Sequence, residues 1–267
     1  LRSRELVSLA GCGGMAVVEL AASEVTALLE QDGDGLSVAV VNTPGSTVVS
    51  GDAAAIGSFV ERMQSDGVFC RRVEVDYASH SAQVDPILAS LSESLADVTG
   101  QPVSVPMVST VTGAQVEGPE LDGAYWCRNL REPVRLDRAL EALQAEGHGV
   151  FVEVSAHPVL AMPLTEACAE TSGVVVGSLR RDEGGLSTLH RTLGVLHTQG
   201  HPVDWAALHG ESSGAVAPLP TYAFQRQRYW LEATASVTDA SALGLASTAH
   251  PLLGAATPLA DSDGFLF

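Results

Sequence analysis

The spacing of apolar residues changes along this chain, and the changes mark its elements. Met15 to Leu20 is a short, nearly unbroken apolar run that reads as a strand. From Ser23 to Gln31 the apolar positions Val25, Leu28 and Leu29 recur at the helical interval, with Ser23 as the N-cap. Leu36 to Val41 and Thr47 to Ser50 are strands on either side of a Thr43-Pro44-Gly45 turn. Asp52 caps a helix reaching about Gln64, and Val68 to Val75 alternates as a fourth strand. The predicted order over residues 15–75 is βαββαβ.

On either side the pattern differs. Residues 1–10 (LRSRELVSLA) read as the end of a helix stopped by Gly11, Gly13 and Gly14. Beyond residue 80, Val84 to Val98 has helical spacing, Pro102 to Ser109 is a strand, and Leu121 to Leu130 is a turn and helix start. Leu136 to Ala145 and Leu160 to Glu170 are helices, and Val150 to Val154 and Val174 to Val176 are strands. Strands alternating with helices predict an α/β fold with a parallel sheet, into which the βαββαβ segment is inserted. Ser187 to His197 is a further helix, and Pro202 to Leu208 begins a linker. Gly210 to Ala217 (GESSGAVA) and Glu232 to Thr248 read as low-complexity links, and between them Leu219 to Trp230 is dense in aromatics and arginine. His250-Pro251-Leu252-Leu253-Gly254 opens a new segment. Leu1 and Phe267 look like cuts within a longer polypeptide.

With 267 residues, 46% of them hydrophobic, the chain is globular. Its net charge of -18 leaves no basic stripe for nucleic acid and repels anionic membrane surfaces. No apolar run is long enough to span a bilayer, and no secretory leader is visible, so a cytoplasmic protein is expected. All 14 basic residues are arginine, isoleucine occurs only at 56 and 87, and asparagine only at 42 and 129; this usage indicates a high-GC bacterial gene. Cys12, Cys70, Cys127 and Cys168 are scattered without metal-ligand spacing and read as reduced, buried thiols; no metal site is expected.

The stretch Val75-Asp76-Tyr77-Ala78-Ser79-His80-Ser81 follows the fourth strand directly. A histidine there can serve as a general base near neutral pH. On the residues alone, a surface-loop histidine is an even alternative. The YASH tetrad, with YWCRNLREPVRL (Tyr125 to Leu136), NTPGSTVVSG (Asn42 to Gly51) and FVEVSAHPVL (Phe151 to Leu160), resembles the acyltransferase domain of modular type I polyketide synthases. LPTYAFQRQRYW (Leu219 to Trp230) is similar to the linker that follows that domain, and HPLLGAATPLADSDGFLF (His250 to Phe267) to the first strands of a hot-dog dehydratase domain.

The resemblance implies an α/β-hydrolase-like large subdomain at 1–14 and 76–178 and an inserted ferredoxin-like subdomain at 15–75. It places the linker at 179–232, and a further link with the dehydratase start at 233–267. His80 would be the base that activates a serine in a GHSxGE elbow. No GxSxG occurs in the chain, so the serine is expected upstream, as is the oxyanion-hole glutamine; the dehydratase histidine and aspartate are expected downstream. Arg2, in Leu1-Arg2-Ser3, would pair with the free carboxylate of a malonyl-type extender, with Arg4 as its competitor. Tyr77 and Ser79 would shape the pocket for the extender's α-substituent, a YASH tetrad pointing to methylmalonyl. The implied chemistry is transfer of an acyl group from acyl-CoA to the phosphopantetheine of an acyl carrier protein, with no bound cofactor. Implied partners are the ketosynthase and dehydratase domains of a homodimeric synthase. Alternatives are a malonyl or bulkier extender, a structural or docking segment without activity of its own, and an unrelated α/β hydrolase, against which the missing elbow speaks. His157, in Ser-Ala-His-Pro, reads as a loop histidine fixing a strand end, and His250 as non-catalytic. Tyr222, Phe224, Tyr229 and Trp230 read as anchors of the linker, and Asp261 with Asp263 as a turn.

Overall fold

The structure is a computed structural model that describes residues 1–32, 35–169, 171, 173–209, 218–230 and 240–267. The chain divides into two units, Leu1–Gly210 and Glu211–Phe267. Among the described residues, no helix is long and apolar enough to cross a membrane.

The first unit is built around a sheet whose strands follow the alternation in the sequence. Strand β1 (Gly13–Val18) pairs antiparallel with β3 (Ser46–Asp52) and with β4 (Cys70–Val73), and β3 pairs antiparallel with β2 (Ser37–Thr43). The spatial order is β4-β1-β3-β2. Helices α2 (Ala22–Asp32) and α3 (Ala53–Ser65) connect β1 to β2 and β3 to β4. Successive side chains of a strand point to opposite faces. Ala16, Val18 and Val49 therefore pack with Val25, Ile56, Phe59 and Met63 of the helices. Met15 and Val48, on the opposite face, pack with Ala39 and with Val75, which leads into the YASH loop. Burial on both faces explains why β1 reads as a continuous apolar run.

Helix α3 starts where the sequence places it, with the Asp52 carboxylate accepting from the amides of Ala54 (2.8 Å) and Ala55 (3.1 Å). Helix α2 does not start at Ser23. It begins at Ala22, and the Ala21 N–H donates to the Glu24 carboxylate (3.0 Å), half of a capping box that sets the start upstream of the serine.

The second half departs further from expectation. The strand expected over 102–109 shortens to β5 (Met107–Ser109), because Pro102 and Pro106 lack the amide a ladder needs. It joins a strand not foreseen, β6 (Ala114–Val116), in an antiparallel hairpin, with Gly113 at φ +69° in the turn. Helix α4 (Asp85–Ser94) is shorter than its periodic stretch, ending at Leu95. Helix α5 (Gly123–Arg131) leads into β7 (Val134–Arg135), which adds to β2 in parallel as a fifth strand of the first sheet. After helix α6 (Leu136–Ala145), β8 (Val150–Glu153) pairs in parallel with β9 (Val174–Gly177), the two joined by helix α7 (Ala161–Ala167). Helix α8 (Leu186–Thr198) is followed by a short helix α9 (Trp205–His209), where only a linker was expected.

Short helix α1 (Arg2–Leu6) lies at the chain's start. Its Leu6 packs with Leu91 and Leu95 of the α4 region and with Leu130 and Cys127 of α5. Ser90 and Ser94 of α4 donate to the Glu5 carboxylate (2.7 and 3.2 Å), fixing α1 on α4.

In the second unit, residues 218–230 form no helix or strand. Tyr222, Phe224, Tyr229 and Trp230 are exposed, so the anchoring expected of them is not seen within this unit. Strand β10 (Thr257–Pro258) pairs antiparallel with β11 (Phe265–Leu266), and Asp261 and Asp263 sit exposed in the turn between them. The link expected over 210–217 lies outside the described residues, as does 232–239 of the second link.

The doubly bonded cap of α3 makes Asp52→Ala a direct test of this packing scheme. The substitution is expected to lower unfolding stability by about 1 kcal/mol, measured by urea denaturation.

Candidate active site

Helix α5 creates the site by the way it ends. Proline disfavours helical geometry in the residue before it, so Pro133 forces Glu132 into an extended conformation (φ -82°, ψ 153°). Proline also lacks an N–H, so the last carbonyls of α5 are short of helical donors. The loop carrying Tyr77-Ala78-Ser79-His80 supplies donors instead. The His80 amide donates to the Leu130 carbonyl (3.0 Å), and the His80 ring Nδ1 lies 2.8 Å from the Glu132 carbonyl.

A carbonyl oxygen can only accept, so this contact puts the ring proton on Nδ1 and leaves the Nε2 lone pair free. His80 adopts φ +58°, in the left-handed region that few non-glycine residues occupy. The two bonds to the end of α5 hold it there.

Burial is the main cause that lowers the His80 pKa below its ordinary 6.5; the Glu132 carbonyl opposes this, and the charge of Arg2 assists it. A neutral imidazole with a free Nε2 is the form a general base needs.

Arg2 reaches the site because α1 is packed on α4 and α5. Its guanidinium Nη1 donates to Asn129 Oδ1 (2.9 Å), and the side chain is partly buried. Arg4, its competitor in the sequence, is exposed. The structure thus gathers His80, Arg2 and Asn129, with Ser79 and Tyr77 adjoining on the same loop. Asn129 and the Glu132 carbonyl were not singled out from the sequence. The signal available was the X-Pro step at 132–133 and the rarity of asparagine in this chain.

Ser79 is 7% exposed, and its hydroxyl is directed at the Met15 sulfur of β1 (3.5 Å). Tyr77 is half-buried. The loop is pressed onto the start of β1: a Cβ at Gly13 would stand 2.7 Å from the Ala78 nitrogen and 2.8 Å from its Cβ. The Gly11 amide donates to the Asp76 carbonyl (2.7 Å), closing the loop's first residues onto the same segment. A surface cleft of about 530 Å³ runs beside this contact, lined by Gly11, Gly13, Arg72, Val75 and Asp76 among others. His80 is not among its lining residues.

The remaining candidates take structural positions. The His157 Nδ1 accepts from the Arg181 amide (3.3 Å), while buried Glu153 accepts from the amides of Val159 (2.8 Å) and Leu160 (2.9 Å) in the same turn. The His250 Nδ1 accepts from the Leu252 amide (3.3 Å). Among the described residues, no group of three or more His, Cys, Asp or Glu is placed to hold a metal ion. Cys70 and Cys168 are buried, and burial pushes the Cys70 thiol up to about 11; Cys12, contrary to expectation, is exposed because it follows a short surface helix.

Residues 1–203 match the family described as Acyl transferase domain. The chain is 48% identical over 270 residues to Polyketide synthase GfsB of Streptomyces halstedii, covering all of this chain and 5% of that protein. It is 47% identical over 270 residues to the pikromycin polyketide synthase component PikAII of Streptomyces venezuelae, covering all of this chain and 7% of that one. Among solved structures, the acyltransferase domain from module 8 of the salinomycin polyketide synthase matches with a TM-score of 0.74 at 45% identity, over 77% of this chain and 49% of that chain.

Because the His80 pKa is lowered on folding, the unfolded chain takes up this proton first as pH falls. The stability this group contributes is present above about pH 6.5 and is lost below it. Chemical denaturation at about pH 7.5 and about pH 5.5 is therefore expected to give a smaller pH-dependent loss in His80→Asn than in the parent chain.

Proposed function

The chain belongs to the acyl transferase domain family over residues 1–203, and from that premise we propose that it is the acyltransferase portion of a modular polyketide synthase that loads an extender unit onto a carrier protein. The observation that carries this reading is the His80 ring, tied through Nδ1 to the Glu132 carbonyl with Nε2 left for substrate chemistry.

In the proposed cycle, His80 Nε2 takes the proton of a serine hydroxyl as its oxygen attacks the thioester of an acyl-CoA. The imidazolium returns that proton to the departing CoA thiolate. The phosphopantetheine thiol of an acyl carrier protein then gives its proton to His80 and attacks the acyl-serine ester, and the proton goes back to the serine oxygen. The serine is the one expected in an elbow upstream of Leu1. This ping-pong scheme requires no metal or redox group.

Arg2 is assigned the free carboxylate of the extender. Its bond to Asn129 orients a planar, permanently charged fork that suits bidentate pairing. Its charge also disfavours the imidazolium, which keeps the His80 ring neutral between turnovers.

Tyr77 and Ser79 are assigned to the pocket for the α-substituent, with methylmalonyl the favoured extender. The small, buried Ser79 supports this, because a larger residue on that loop would occupy the space of a methyl group.

Residues 15–75 are read as a ferredoxin-like subdomain inserted between the large-subdomain segments 1–14 and 76–178. Residues 179–232 are read as the linker that follows, and 233–267 as a link and dehydratase start. The neighbouring ketosynthase and dehydratase domains of a dimeric cytoplasmic synthase are the proposed partners within the polypeptide.

The test uses the intact domain, extended upstream through the serine elbow and offered methylmalonyl-CoA and malonyl-CoA in competition, with intact-protein mass spectrometry as the readout. A dominant methylmalonyl adduct is expected, and His80→Ala is expected to slow its formation by roughly 10²–10⁴-fold. Ser79→Phe is expected to move the adduct ratio toward malonyl by roughly tenfold. Absence of any adduct in the parent domain would contradict the function, and equal adducts would contradict the extender assignment alone.

A further inference from the structure

The specificity loop rests on a strand, and the strand residue beneath it has no assigned role. Gly13 and Met15 are two apart on β1 and so face the same side of the sheet. Gly13 lies against Ala78, and Met15 against Ser79. The two contacts form a short ladder, in which the missing side chain at 13 lets the loop come close and the side chain at 15 fills the space below it. We propose that Met15 is a specificity-determining residue acting through Ser79: it forms the floor of the α-substituent pocket, and its bulk sets how deep the pocket can be.

Four observations carry this. Met15 is 8% exposed, so its volume is committed to the interior beneath the loop rather than to solvent. It packs in one cluster with Ala39, Val48 and Val75, and Val75 is the residue that leads into the loop. The Ser79 hydroxyl is directed at a thioether, a weak acceptor, so at position 79 itself the loop is seated on Met15 by packing rather than by a strong side-chain hydrogen bond. Ser50, directly across the ladder from Met15 and on the same face, is fully buried, and its hydroxyl has no hydrogen-bond partner among the described residues. Met15 is thus held between two small hydroxyl side chains that neither pin it nor compete with it for volume. A flexible, unbranched side chain in that setting adapts its shape, whereas a shorter one would deepen the pocket.

The inference rests on the extender-loading function proposed above, and its test separates the two. The intact domain would be offered malonyl-, methylmalonyl- and ethylmalonyl-CoA in equimolar competition, and the ratio of adducts read by intact-protein mass spectrometry. Met15→Ala is expected to raise the ethylmalonyl-to-methylmalonyl ratio by roughly tenfold. Met15→Leu, of similar volume, is expected to keep the parent ratio. Met15→Val, suited to a strand, carries the same test with a smaller expected shift should the alanine variant fail to fold. Val48→Ala, which removes volume from the same cluster but not from beneath Ser79, is expected to leave the ratio unchanged. An adduct ratio in folded Met15→Ala or Met15→Val equal to that of the parent would overturn the inference while leaving the loading function intact. So would a Val48→Ala shift as large as that of Met15→Ala, because the effect would then be a general loosening of the core. Failure of the parent domain to form any adduct would instead overturn the loading function on which the inference rests.

Discussion

Helix α5 ends with carbonyls that its own backbone cannot satisfy, and the placement of His80 depends on them. A helix interior pairs each carbonyl with an amide four residues on, but the last turn has no such amides. Pro133 makes that shortage local and permanent, because it can neither donate nor allow Glu132 to stay helical. His80 meets it twice, with its amide on Leu130 and its ring on Glu132. The same two bonds hold a left-handed backbone, fix the tautomer and aim Nε2 away from the helix. A structural necessity at a helix end thereby becomes a chemical one at the site.

The other parts of the site follow from what α5 packs against. Leu130 is fully buried among the leucines of α1 and α4, so the helix that orients the base also fixes the helix that carries Arg2. Asn129, one position before Leu130, turns toward Arg2 and holds the guanidinium by its Oδ1. On the opposite side, the loop is seated on β1 by the absence of a side chain at Gly13. The His80 ring, the Arg2 guanidinium and the seat of the loop are thus positioned by α5, α1 and β1, the first of which lies more than a hundred residues from the other two.

Much of the first sheet was legible in the sequence because its signals are local. The Thr43-Pro44-Gly45 turn, the Asp52 cap and the alternating run before residue 75 each state their structure within a few residues. The hairpin of β5 and β6 was missed because Ala114–Val116 is too short to show a period, and prolines shortened its partner strand. The addition of β7 to the first sheet is a long-range parallel pairing of two residues, which no periodic pattern announces. At the site, His80, Arg2, Ser79 and Tyr77 could be named from motifs and resemblance. Asn129 and the Glu132 carbonyl could not, since one acts only after α1 docks and the other is a backbone atom with no identity in sequence. The Met15 contact beneath Ser79 was hidden for a similar reason, as a methionine in an apolar strand reads only as core.

The central claim is that His80 is held as a neutral base with its proton on Nδ1. The most direct measurement is nitrogen-15 NMR of the His80 ring in the intact domain, titrated with pH and assigned by comparison with His80→Asn. The structure predicts the Nδ1–H tautomer and a titration midpoint below the ordinary 6.5. A ring protonated on Nε2 at neutral pH, or a midpoint above 6.5, would contradict it.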